Sequence, residues 1–256
     1  RQSYTGGSTN YFTGRIDQVR IFNTALSAGA VTSLYNETVA TASNSYINIP
    51  SGVAYYKMSD ATDQTGSYDG TPTNVNFNVA GKFGNAGEFN GSSSKIVTTL
   101  NPNGFSQITL SCWINTTSSG ANDHIISAND GSNWCFFSMA SGIITFGASN
   151  GGSGIFSATH TGAINDGNWH HICGTYNGTT ATLYIDDTGY TPVSATASLS
   201  VNVAFGIGYR NTAAPSGTYY DGKIDQVRIF NKGITSTEVT TLYNEVQCVP
   251  TIVPTD

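Results

Sequence analysis

Charge is the scarcest property of this chain of 256 residues. Asp, Glu, Lys and Arg together make up 10% of it, against about a quarter of an ordinary soluble domain. The ten Lys and Arg are scattered, form no basic stripe and are outnumbered by sixteen acids, for a net charge of −6. That balance excludes a nucleic-acid-binding surface. Long apolar runs are absent too: nothing approaches the ~20 consecutive apolar residues of a membrane span. No signal peptide is recognisable, and the chain opens on Arg1 rather than Met, so either the start is processed or this is part of a longer protein. Cysteine is sparse, at 112, 135, 173 and 248, without a CxxC pair or a zinc-site spacing. Cys112 alternates with Ile108, Leu110 and Ile114, which suits a small buried thiol; a Cys112–Cys173 bridge remains open if their strands face each other.

What the chain has instead is glycine (29 residues), hydroxyls, amides and 38% apolar residues, enough for a substantial core. Short runs alternate with period two. "QITLSCWIN" (107–115) places Ile108, Leu110, Cys112 and Ile114 on one face, and "ATLYIDD" (181–187) does the same with Ala181, Leu183 and Ile185. "KIDQVRIF" (223–230) assigns Asp225, Val227 and Ile229 to one face and Gln226, Arg228 and Phe230 to the other. Between such runs recur NGS, NDGS, NGGSG, NDGN and NGTT, turns in which Asn-Gly and Asp-Gly accept positive φ. Thr235 and Glu238 have capping-box spacing ahead of Val239, Leu242 and Tyr243, predicting one short helix near the C-terminus. The fold class expected is all-β, a two-sheet antiparallel jelly-roll sandwich closed by that helix.

The chain also repeats itself. "GRIDQVRIFN" (14–23) returns as "GKIDQVRIFN" (222–231), and 14–38 matches 222–246 at 15 of 25 positions with a fixed offset of 222 − 14 = 208 residues. A long constant offset points to duplicated modules. The reading is then 1–38 as the closing part of a preceding module, 39–52 as a linker ending in Pro-Ser-Gly, 53–246 as a complete module and 247–256 as a tail. The first copy has Ala30 where the capping Glu would be, so its helix should start less firmly. Its strand edges should be covered by a neighbouring module, another chain or the front of its own module.

Six segments in order carry a family resemblance: "VAYYKMSDATDQTGSYDGT" (53–71), "GKFGNAGEFNGSSSKIV" (81–97), "ITLSCWINT" (108–116), "INDGNWHHICGTYNGTTATLYIDD" (164–187), "GIGYRN" (206–211) and "GKIDQVRIFNKGITSTEVTTLYNE" (222–245). Together they resemble a LamG-like, concanavalin A-like lectin/glucanase jelly-roll module. The resemblance implies a lectin-type sandwich with one convex and one concave sheet, in which "IDQVRIFN" is the last strand sealing each module. The Thr/Asn-rich, Lys-poor tail further resembles modules of tailed-phage structural proteins and bacterial surface proteins. That implies an extracellular setting, on a virion surface as capsid decoration or tail fibre, or alternatively on a secreted or cell-surface adhesin.

The same resemblance implies site residues. In similar jelly-rolls the Asp corresponding to Asp225 binds a structural Ca²⁺ with an early acid, here Asp60, and a carbonyl of the turn at Asn90-Gly91; calcium accepts such mixed oxygen ligands. The alternative is that Asp225 caps backbone amides or pairs with an Arg, since a buried carboxylate needs a partner. Asp123, His124, Trp134, Tyr209, Arg210 and Asn211 border the concave sheet in similar modules and are candidates for holding a glycan. The partners implied are a glycan or host cell surface, neighbouring copies of the module or other virion proteins, with no nucleic acid and no membrane. No catalysis is expected. The glucanases of this fold carry an E-x-D-x-E strand, whereas the glutamates here are Glu37, Glu88, Glu238 and Glu245, three of them in helical ends. His170 and His171, adjacent on one strand, should face opposite ways, and Trp113 and Trp169 should be core.

Overall fold

The computed structural model describes residues 21–35, 52–212 and 218–245. They fall into two compact units, the first holding 21–35 and the second the remainder, and each is taken by itself. The expected linker over 39–52, apart from Gly52, the tail over 247–256 and Cys248 lie outside the described residues.

In the first unit, α1 (Ala28–Tyr35) begins at Ser27, whose Oγ accepts the Ala30 N–H at 3.2 Å. Its first turn holds no acid, so the cap is one-sided, as the Ala30 substitution predicts. Ile21 is 93% exposed, and Phe22 and Val31 are exposed as well. Their counterparts one offset later, Ile229, Phe230 and Val239, are all buried.

The second unit is a sandwich of two antiparallel sheets. The nine-stranded sheet runs β13 (Thr188–Gly189), β12 (Thr180–Ile185), β11 (Trp169–Tyr176), β6 (Ile108–Asn115), β16 (Asp221–Phe230), β4 (Asn85–Asn90) and β3 (Asn76–Ala80), with β1 (Gly52–Tyr56) also on β16 and β14 (Val193–Ser194) also on β12. The seven-stranded sheet runs β10 (Ser153–Thr159), β9 (Ile143–Asn150), β8 (Trp134–Ala140), β7 (Asp123–Asn129), β15 (Gly206–Ile207), β5 (Lys95–Val97) and β2 (Thr71–Thr73). Between them lies one apolar core holding Ile108, Leu110, Cys112 and Ile114 of β6 and Ala181, Leu183 and Ile185 of β12, the faces that alternation assigned. Gly208 lets the two layers close here: its φ is +78°, and a Cβ would come within 2.0 Å of the Phe89 ring.

The two outer faces differ. On the nine-stranded sheet, α2 (Ser236–Tyr243) covers the surface, and its Val239 and Leu242 pack with Tyr55, Cys173, Phe230 and Ile234. Each such burial stabilises by roughly 1.5–3 kcal/mol. Thr235 and Glu238 form the expected reciprocal capping box. On the seven-stranded sheet no helix lies over the outer face among the described residues.

Two expectations are corrected, and one open option is closed. Asp225 does not share a face with Val227 and Ile229. Gln226, at φ +51°, makes a bulge that breaks the register between Asp225 and Arg228, and one extra residue flips the alternation. Ile224, Val227 and Ile229 therefore face the core, while Asp225 and Arg228 turn with Phe230 toward α2. Cys112 and Cys173 sit in different clusters on opposite faces of one sheet and are free thiols, as is Cys135. Trp113 is buried under α2, stacked on Tyr243 at 5.7 Å, but Trp169 is only half-buried.

Candidate functional site

Across the outer face of the seven-stranded sheet, the registered residues Ser157, Gly147, Phe136, Ser127, Gly206, Val97 and Thr71 lie side by side from β10 to β2. Two of the central positions are glycines, and aromatic rings lie against both. A Cβ on Gly147 would come within 3.2 Å of both Trp134 and Phe136, and one on Gly206 would collide with Tyr209. The small residues thus lower the floor so that rings lie flat along the sheet.

At the β7–β8 end this floor forms a depression of about 200 Å³ lined by Asn122, His124, Asn129, Trp134, Phe136 and Arg210. Trp134 and Phe136 stack with centroids 4.9 Å apart, and His124 meets Phe136 edge-on at 5.4 Å. Three buried polar atoms in this region, His124 Nδ1, Ser127 Oγ and Arg210 Nε, have no hydrogen-bond partner among the described residues. Burial, aided by the Arg210 charge, depresses the His124 imidazole to about 4, so it is neutral at physiological pH. The surface therefore offers two stacked rings, two amides, a neutral imidazole and one guanidinium. That is the chemistry that holds a sugar, whose ring has an apolar face and a rim of hydroxyls.

Of the six glycan candidates, His124, Trp134 and Arg210 line this depression together. Tyr209 lies nearby, buried, stacked on Tyr219 at 6.1 Å with Lys95 Nζ 5.4 Å from its centroid. Asn211 is occupied structurally, donating its amide to the Ala204 carbonyl at 2.6 Å. Asp123 turns toward the 118–120 loop and accepts from Ser118 Oγ at 2.8 Å; burial, then Asp221, raises its carboxyl. Asn122, Asn129 and Phe136 also line it and were missed, although the alternation of "WCFFSMA" (134–140) already sets Trp134 and Phe136 against buried Cys135 and Phe137.

The four calcium candidates are not brought together. Asn90 pairs with Asp221 at one end of β16, and Asp225 lies four residues further on, about 13 Å along the strand. Asn90 is engaged in its own turn, accepting the N–H groups of Ser92, Ser93 and Ser94. Asp60 is exposed and accepts the Thr62 N–H at 2.8 Å. Asp225 caps backbone, accepting the Phe83 N–H at 2.9 Å, and also takes a bond from the Gln226 amide. Among the described residues no group of three His, Cys, Asp or Glu is placed to hold a metal ion. As a set these residues do not fit the ion. The organising carboxylate of the 60–70 loop is instead Asp63, buried and accepting the N–H groups of Tyr55, Thr65, Ser67 and Tyr68.

The two histidines of "WHH" point apart. His170 is held between Asp186 (2.6 Å) and Asp166 (3.1 Å), while His171 meets Ser111 Oγ at 2.9 Å beneath α2. Asp186 and Asp187, both at positive φ, form the two-residue turn between β12 and β13.

A model of the concanavalin A-like lectin/glucanases superfamily matches residues 89–240. Among curated proteins none matches. Among solved structures, domain 4 of AbnA, a GH43 extracellular arabinanase from Geobacillus stearothermophilus solved in complex with arabinotriose, is 20% identical over 76% of this chain and 98% of its own, with a TM-score of 0.61. The binding domain of Paraclostridial Mosquitocidal Protein 1 is 18% identical over 76% of this chain and 52% of its own, TM-score 0.63. A structure of botulinum neurotoxin type C, whose cell entry depends on interaction with two ganglioside molecules, is 16% identical over 76% of this chain and 51% of its own, TM-score 0.59. The chain thus spans about half the length of the toxin chains, and at these identities the likeness is one of fold.

Proposed function

The chain belongs to the concanavalin A-like lectin/glucanase superfamily, and from that membership we propose that it is a non-catalytic carbohydrate-binding module of an extracellular surface structure. The observation that carries this reading is the depression on the outer face of the seven-stranded sheet, where the Trp134–Phe136 stack is bordered by Asn122, His124, Asn129 and Arg210. Stacked rings take the apolar face of a sugar, and the amides and guanidinium at their edge take its hydroxyls. The fold likeness to an arabinanase domain holding arabinotriose and to a ganglioside-dependent toxin supports it. Fold alone does not decide function, so the weight rests on the site.

The same surface supports the non-catalytic reading. Glycoside hydrolysis uses two carboxyl groups flanking the bond, and the depression is lined by none. The setting we favour is a virion decoration or tail fibre, where repeated modules convert weak single-site binding into avidity; a bacterial surface adhesin uses the same physics. The structural alternative, modules that only pack, draws on Ile21, Phe22 and Val31, exposed where their later counterparts are buried.

A glycan array probed with the multimerised full chain tests the proposal. Binding to a defined saccharide, lost in Trp134→Ala and retained when an exposed residue away from the depression is changed, is the expected result. A folded wild-type protein that binds no saccharide would overturn it and leave packing as the role.

A further inference from the structure

The depression has a charge character that a generic saccharide site does not require. Its lining holds one full charge, Arg210, and no carboxylate. The nearest acid in sequence, Asp123, is turned away and satisfied by Ser118. Arg210 makes no salt bridge or side-chain hydrogen bond among the described residues, and its Nε is buried without a partner. In a chain with ten Lys and Arg against sixteen Asp and Glu, a half-buried guanidinium beside no acid is out of keeping with the rest of the surface. Partly burying such a group without compensation is unfavourable. Lys95 adds a second cation to this face, its Nζ 5.4 Å from the Tyr209 ring centroid. Neutral His124 adds no competing cation beside Arg210.

Resting on the reading of this face as a saccharide site, we infer that its ligand is an acidic saccharide, whose anionic group docks on Arg210 while an apolar face of the sugar lies on the Trp134–Phe136 stack. A guanidinium offers a planar fork of N–H donors that matches two oxygens of a carboxylate or a sulfate. The amide of Asn122 and the NH2 group of Asn129, whose oxygen already takes the Gly131 N–H at 2.8 Å, remain for hydroxyls. Uronates, sialates and sulfated sugars share the chemistry that Arg210 reads.

The test titrates the full chain against four immobilised saccharide sets, uronate-bearing, sialylated, sulfated and neutral, at low and high salt, with Arg210→Gln, Arg210→Lys and Trp134→Ala alongside. Thermal melts confirm that each variant is folded. Expected is a preference of about tenfold or more for one acidic set over its neutral counterpart, equivalent to about 1.4 kcal/mol. Arg210→Gln should abolish that preference, Arg210→Lys should keep part of it, and salt should weaken it. Which acidic set binds distinguishes carboxylate from sulfate, and either supports the inference. Binding to neutral sugars that Trp134→Ala abolishes and Arg210→Gln leaves unchanged overturns the charge assignment while the lectin reading stands. No binding to any set removes both.

Discussion

Replacing Asp225 with Asn should stabilise this protein at neutral pH. The carboxylate is fully buried, and burial raises it from 3.8 to about 6 against the opposing hydrogen bonds from Phe83, Gln226 and Lys82. Between those two values the folded state holds a proton that the unfolded chain releases, so stability falls as pH rises through that window and stays low above it. A shift of about two units corresponds to roughly 3 kcal/mol. Asn keeps an oxygen for the Phe83 N–H but meets the Gln226 amide with a second donor, forfeiting a bond worth about 1 kcal/mol. The net gain is about 2 kcal/mol, or roughly 4–8 °C in Tm for a unit of this size. It should vanish near pH 4, where wild-type Asp225 is protonated. Thermal unfolding followed by circular dichroism from pH 4 to pH 8, with EDTA and with added calcium, measures this directly. A variant less stable than wild type at pH 7.5, together with a wild type that calcium stabilises, would show that a cation holds the charge and would refute the reasoning.

The histidines should titrate in a defined order by NMR. Burial lowers His170, but its bonds to Asp186 and Asp166 outweigh this and raise it above 6.5; His124 stays neutral down to about 4 and His171, buried near Arg228 and Lys82, to about 3. Because the folded value of His170 is raised, its contribution is present in full below about pH 6.5 and lost as pH rises through the folded value, so His170→Ala should cost more at pH 5.5 than at pH 8.5 in urea unfolding. Gly208→Ala should destabilise by several kcal/mol, on the order of the larger core mutations, since both the φ of +78° and the approach to Phe89 oppose a Cβ; a melt within a degree of wild type would contradict the proposed layer contact.

Regular alternation made the sandwich legible. Ile108 through Ile114 and Ala181 through Ile185 have unbroken period two, and the capping box at Thr235 and Glu238 fixes the start of α2. Alternation failed at Gln226, because nothing in "IDQV" announces a non-glycine residue at positive φ. From that bulge on, side chains that strict alternation pairs end on opposite faces. Trp134, His124 and Arg210 were reachable from the resemblance, yet their convergence depends on pairing across β7, β8 and the segment after β15, which no local pattern states. The partner of Phe136 is hidden for the same reason: Gly147 reads as a weak point in a strand until the rings above it are seen.

The bulge at Gln226 also separates what can vary from what cannot. Tyr55 OH donates to Gln226 Oε1 at 2.5 Å, Arg228 donates to the same oxygen at 3.1 Å, and Arg228 bonds Glu245 at 2.7 Å, tying β1, β16 and the residues just after α2. Gln226, Arg228 and Glu245 all recur in the first copy, as Gln18, Arg20 and Glu37. In 222–231 the phrase is therefore part of a latch on the sheet that α2 covers, while the residues lining the depression come from Asn122 through Phe136 and from Arg210, outside the phrase. Locking and lining are written in different stretches of the chain, so substitutions along the depression leave the closing contacts untouched.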